Sequence, residues 1–285
     1  SGKALADKHE EFSRLMRDTL ETVRFDELPR LRELIAQERA RMEQSVTGHG
    51  HSLAMTAAAS GMSPVSAISH RLRGLEGIRS LKRLDDRLDD DAALAAFAAD
   101  LREIHRRVLA APQQYLLVGE EHRQEQLCGE LASVWARDDV TTAFQAFRRD
   151  PVSARVRQMW ITSTQVNFCA RVYPTVPLEH ADAPVLEVLG PFLRNGYLHR
   201  AIREQGGAYG GGAGHDGDVA AFRFYSYRDP RLTETLADFD RAIDWLLQGG
   251  HSPRQLEEAI LGVIGNIDKP GSPAGEARSA FPNAL

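Results

Sequence analysis

Apolar residues recur at helical spacing through most of the first half of the chain. Phe12, Leu15, Met16, Leu20 and Val23 lie on one face with charges between them, which predicts an amphipathic helix from about Ala4 to Val23. Leu28, Leu31, Leu34, Ile35, Met42 and Val46 continue the period as a second helix with ERARMEQ on its wet side. Gly48 and Gly50 interrupt it, and LAMTAAASG follows as a helix of small residues suited to close packing. Ser63-Pro64 reads as a helix start, serine as N-cap and proline at the first helical position. Further helices are expected through Ile78, Leu81 and Leu84, and over DLREIHRRVL. At Pro112 the pattern changes. Tyr115 to Val118, rich in β-formers, read as a strand, and His122 to Trp135 return to helix. Turn signals over residues 138 to 154 mark a boundary between two units.

The second half alternates. VRQMWIT and TQVNFCARVY read as strands, and ADAPVLEVLGPFLRNGYLHRAIREQ as a broken helix. GGAYGGGAG then leads into VAAFRFYSY, where Phe222 and Phe224 face opposite to Arg223 and Tyr225. Asp229-Pro230 opens a helix through Leu236, Phe239, Ile243 and Trp245 that ends at Gly249-Gly250. Ser252-Pro253-Arg254-Gln255 forms a capping box for a last helix to about Ile267. This order gives an α+β fold, helix-rich at first and then a sheet with helices packed on one face. Two domains are expected, a helical segment with a partial α+β domain over 1–150 and an α+β domain over 151–285.

Composition narrows the function. The chain has 285 residues, 42% hydrophobic and 26% charged, with a formal net charge of −5. A mildly acidic balance argues against a nucleic-acid partner, which needs a basic face to displace counterions. No apolar run is long enough to span a bilayer, so no membrane partner is expected. Cys128 and Cys169 are the only cysteines, too few for a disulfide framework, and read as small buried residues in a reducing compartment. Cysteine usage and composition together point to a bacterial cytoplasmic protein.

Three features invite chemistry. The glycines of GGAYGGGAG follow a helix and enter a strand, the reverse of a phosphate cradle, so they suit close backbone approach by a strand or a bound peptide. His49 and His51 form an H-x-H pair with His70 downstream, but on a helix their rings point about 200° apart, and no H-x-x-E-H or H-E-x-x-H occurs. Arg203 ends a helix, Gly206-Gly207 turn the chain, and Tyr209 begins the next strand. A guanidinium and a phenol can thus converge from two sides of one turn, where both can donate to a peptide carbonyl or a developing oxyanion. On the residues alone the favoured reading is the plainer one, in which Arg203 complements the helix C-terminus while Tyr209 packs.

REQGGAYGGGAGHDGDVAAFRFYSYRDPRL, followed by IDKPGSPAGEARSAF, resembles the carboxy-terminal part of presequence proteases, members of the pitrilysin/insulinase family of zinc metallopeptidases. GHGHSLAMTAAASGMSPVSAISHRLRGLEGIRSLKRL resembles the helical region before it, so the similarity runs in order over nearly the whole chain. The resemblance implies two similar halves hinged around a peptide-sized chamber. Zinc in the full-length enzyme is held by the amino-terminal half, with its ligands outside this chain. This chain would then be the substrate-binding carboxy-terminal portion of a metalloendopeptidase. Its partners are short or unfolded peptides and the zinc-bearing half.

By that resemblance Arg203 and Tyr209 are the catalytic pair, binding the peptide backbone and supporting the tetrahedral intermediate. Gly206, Gly207, Gly210 and Gly211 are the expected substrate-binding positions. Alone, the chain is expected not to hydrolyse peptides. Against the family pattern it reads as cut at both ends, so exposed sheet edges could pair in a homodimer. The alternative is a non-catalytic binding or scaffold subunit of the same fold, working with a separate zinc-bearing partner.

Overall fold

The computed structural model describes residues 2–135, 148 and 150–281. These residues fall into two units, neither contiguous in sequence. The first draws on Ser1–Leu34, Arg87–Phe147 and Pro270–Leu285, the second on Ile35–Asp86 and Arg148–Lys269. The turn-rich boundary expected over 138 to 154 lies largely outside the described residues.

In the first unit, α1 (His9–Glu21) packs against α6 (Gln124–Trp135). The α1 helix is shorter than its periodicity predicts, because a 3₁₀ turn at Ala6–Lys8 precedes it. Trp135 Nε1 donates to the buried Ser13 hydroxyl at 3.0 Å, and the His9 ring meets the Glu130 carboxylate at 2.9 Å. The helix α5 (Asp91–Ala110) starts where the Asp90 carboxylate accepts the Ala93 amide at 2.8 Å. Its His105 ring reaches the Leu20 carbonyl at 2.6 Å. The expected strand over Tyr115 to Val118 does not form, since no described strand lies beside it to complete its hydrogen bonds.

The second unit carries the sheet. Of α2 (Leu28–Ala59), the part from Ile35 onward belongs here, and its helical geometry breaks at His49 (φ −124°, ψ 22°), between the two glycines that predicted an interruption. Gly50 is buried because the Phe168 ring occupies the space of a side chain. The helix α3 (Pro64–Arg73) begins as expected, with the Ser66 amide donating to the Ser63 hydroxyl at 3.1 Å. The helix α4 (Leu75–Arg87) follows.

Three antiparallel strands, β1 (Ala170–Pro174), β2 (Gly210–Asp216) and β3 (Ala221–Tyr227), lie in the order β1-β3-β2. The sequence suggested strands from Val156 to Thr162 and Thr164 to Tyr173. The first runs without strand pairing beside the end of α2, where the Ala154 amide donates to Gly61 at 2.8 Å. The second pairs fully only from Ala170, after a single bridge at Asn167.

Alternation along β3 sends Phe222, Phe224 and Ser226 inward and Arg223, Tyr225 and Tyr227 to the other face. The inner face meets α7 (Ala183–Leu193), a π-helical stretch over Arg194–Gln205, and α8 (Thr233–Gln248). Phe224, Phe239, Leu193, Leu198 and Ile202 are almost wholly buried there. At Gly190 the helix approaches β2 so closely that a Cβ would sit 2.8 Å from the Ala213 carbonyl oxygen. The helix α9 (Pro253–Ile267) packs on α7 and starts at the expected Ser252–Gln255 capping box; α10 (Pro273–Ala280) belongs to the first unit. Cys169 is buried and its thiol is pushed up mainly by that burial, whereas Cys128 is exposed, contrary to expectation.

Candidate functional site

Helix bonding of the i→i+5 kind is uncommon and recurs at functional positions. Here it ends in a turn that sets the backbone on either side of it. The Gly207 amide donates to the Arg203 carbonyl and the Ala208 amide to the Ile202 carbonyl, each at 3.1 Å. Gly207 has φ +77°, the left-handed geometry that closes a helix and that glycine adopts without Cβ strain. One residue on, the Tyr209 amide donates to the Arg228 carbonyl at 3.3 Å, which docks the turn onto the end of β3. Arg228 itself holds φ +49°, an uncommon conformation for a residue with a side chain.

Arg203 and Tyr209 therefore stand on either side of one braced turn. Both are exposed, Tyr209 to 68%. Among the described residues neither the guanidinium nor the phenol has a hydrogen-bond or ion-pair partner, and they do not bond each other. The Tyr209 ring meets Tyr227 edge-on at 5.6 Å. Arg203 is thus not tied down at the helix end by a local partner, and Tyr209 packs on one side only.

The four glycines behave differently. Gly206 is buried, since a Cβ there would overlap the Arg231 guanidinium. Gly207 supplies the turn. Gly211 faces the helix, where a Cβ would lie 2.8 Å from Ile202 Cγ2, while Gly210 has open space around it. With β2 outermost in the sheet, its far edge offers main-chain amides and carbonyls without a described strand partner.

Sequence reading missed what lies beneath the turn. Asp229, fully buried, accepts the Arg231 amide at 2.9 Å and the Thr235 hydroxyl at 2.7 Å. Arg231 Nη2 donates to Asp238 at 3.1 Å and to the Ala201 carbonyl at 3.2 Å. Asn167 Nδ2 donates to the carbonyls of Asp229 and Arg231. The available signal was Asp229 and Arg231 just before the helix and Asp238 on it, but Glu234, Asp240 and Arg241 nearby carry charge too and are not buried.

His51 and His49 do not act as a pair. His49 sits at the break in α2, while the His51 ring lies 4.9 Å from Tyr227 and 5.5 Å from Tyr225. His70 is elsewhere, edge-on to Trp160 at 6.0 Å. Burial, and for His51 the charge of His49, holds both imidazoles below the usual histidine range; at His70 burial again dominates. A lowered folded-state pKa means the folded chain binds these protons less readily than the unfolded chain. Their contribution is present above about pH 6.5 and lost as pH falls through their depressed values. The urea midpoint should therefore drop between about pH 7 and pH 5, and His51→Gln/His70→Gln should flatten that drop; an equal slope in the variant would refute the assignment.

Among the described residues no three His, Cys, Asp or Glu side chains gather as metal ligands. Nor is any described helix long and apolar enough to cross a membrane.

Comparison with known proteins adds identity to this geometry. The chain matches the families described as Peptidase M16C associated over residues 1–84 and PreP C-terminal domain over residues 157–284. It is 31% identical, over its whole length, to "Presequence protease, mitochondrial" of Yarrowia lipolytica, of which it covers 29%. The like-named proteins of Danio rerio and Drosophila melanogaster are 30% and 29% identical, each over 95% of this chain and 28% and 26% of their own lengths. The chain thus spans less than a third of these relatives. Their names place them in mitochondria of a yeast, a fish and a fly, which overturns the expectation of a bacterial cytoplasmic protein. That expectation rested on sparse cysteines, which report a reducing environment and do not tell one such compartment from another. The order and extent of the matches show that the chain belongs to the presequence-protease branch of the pitrilysin/insulinase (M16) peptidase family and corresponds to its carboxy-terminal region.

Proposed function

We propose that this chain is the substrate-binding portion of a peptide-degrading zinc metalloendopeptidase, with Arg203 and Tyr209 contacting the peptide at the bond to be cleaved. Metal chemistry belongs to the zinc-bearing amino-terminal half, and the roles assigned here are those of this chain's own side chains and backbone. The observation that carries the reading is the pairing of two exposed donors, free of described partners, on one braced turn at the start of an edge strand. Arg203 offers a permanently charged fork of N–H donors and Tyr209 a neutral O–H. Together they can hold a peptide carbonyl and stabilise negative charge as it develops on that oxygen. The free edge of β2 can take an extended peptide as an added strand. Affinity then comes from main-chain hydrogen bonds, a mode tolerant of many side chains. Open space at Gly210 leaves room for such a backbone.

The test is kinetic, in the intact peptidase. Arg203→Ala and Tyr209→Phe should each lower kcat about 100-fold, on the scale of losing one oxyanion donor, with KM within about threefold. Unchanged kcat in both would overturn the catalytic role. With peptide binding retained, that outcome would leave the alternative of a binding or scaffold subunit. The isolated chain should bind peptides without cleaving them.

A further inference from the structure

Resting on that reading of Arg203 and Tyr209, we propose that Arg231 is the positioning residue of their turn, acting through the backbone at Gly206. The Arg231 guanidinium lies against Gly206, filling the space of a side chain there. Its Nη2 donates at once to the Ala201 carbonyl, two residues before Arg203, and to the buried Asp238 carboxylate on α8. Ala201 lies in the last turn, where helix ends leave carbonyls without amide partners. One planar group therefore ties the end of the π-helical stretch to α8 and closes over the first residue of the turn.

Arg231 is itself fixed from several directions. Its amide donates to Asp229 and its carbonyl accepts from Asn167 Nδ2. Asp238, which it pairs with, also receives Arg241 at 2.6 Å. Both acceptors are met by the N–H groups of one guanidinium nitrogen, held in fixed directions that a lysine amine on a flexible stem does not reproduce. Arg231 lies beneath the turn, with about a quarter of its side chain exposed. Its effect on turnover runs through where Arg203 and Tyr209 stand.

The experiment compares Arg231→Lys alone and in an Arg203→Ala background, in the intact peptidase. Lysine keeps the positive charge between Asp229 and Asp238, so the melting temperature should change by a few degrees at most, on the order of a 1 kcal/mol perturbation. Alone, Arg231→Lys should lower kcat about tenfold with KM within about twofold. In the Arg203→Ala background it should change kcat less than about twofold, the non-additivity expected of residues acting as one unit. A tenfold loss in both backgrounds, or in neither, would overturn the proposal.

If Arg203→Ala itself leaves kcat unchanged, the catalytic reading fails and the positioning claim is decided by amide exchange. Gly207 and Ala208 should then exchange about tenfold faster in Arg231→Lys, with Phe222 to Ser226 unaffected. Equal protection at Gly207 and Ala208 would overturn it.

Discussion

Phe224→Ala is expected to cost about 3–5 kcal/mol, a large share of the ~5–15 kcal/mol that holds a typical domain folded. Phe224 is the middle residue of the central strand, opposite Arg171 on one side and Ala213 on the other. It is 1% exposed, and its ring contacts those of Phe239, Phe222 and Tyr173 at 5.4–6.0 Å. Truncation removes a ring from the point where sheet and α8 meet, and the paired strands on both sides keep the backbone from collapsing into the space. The lost transfer energy and the residual cavity therefore add. Urea unfolding should show a much lower midpoint with little change in slope. Leu247→Ala is the control, since Leu247 is 77% exposed and its loss should stay within about 0.5 kcal/mol. A midpoint for Phe224→Ala within error of that control would refute this account of the core.

Asp229→Ala should be comparably severe, about 3–5 kcal/mol, for a different reason. The carboxylate is inaccessible to water and holds three things together: the Arg231 amide, the Thr235 hydroxyl and the nearby Arg231 charge at 3.9 Å. Alanine leaves the Arg231 amide and the fully buried Thr235 hydroxyl without their acceptor and removes one of the two carboxylates beside the Arg231 charge. Asp229→Asn keeps the shape and an acceptor for the Arg231 amide, so it should lose only about 1–2 kcal/mol. Adding Thr235→Val to Asp229→Ala removes the orphaned hydroxyl and should recover part of the loss. The double-mutant cycle reads that coupling directly, and strictly additive costs would show that the pair does not act as described.

The local signals in the chain were legible where one residue settles the backbone around it. Ser63-Pro64 and Ser252-Gln255 start helices as read, and alternation in β3 gave its inner face. The turn at Gly206-Gly207 was also legible, because paired glycines separate a helical period from an alternating one. Its π-helical geometry was not, since apolar positions alone scarcely distinguish i→i+5 from i→i+4 bonding. The segment from Val156 to Thr162 misled because β-forming side chains describe fitness for a sheet, while a strand also needs a neighbour. The Asp229–Arg231–Asp238 network stayed invisible for a related reason: pairing across α8 depends on packing that no spacing encodes. As for roles, spacing brought Arg203 and Tyr209 to one turn, but catalysis by them rests on the family resemblance.

The order in which the two units draw on the chain has a consequence for synthesis. Within the given sequence the unit that carries Arg203, Tyr209 and the sheet runs to Lys269, whereas the first unit includes the stretch that begins at Pro270. Chains emerge from the ribosome amino terminus first, at roughly 5–20 residues per second. The described residues of the site-bearing unit are therefore made before the stretch of the other unit that holds α10. Within these 285 residues, α10 joins its unit only after the residues of the sheet are out.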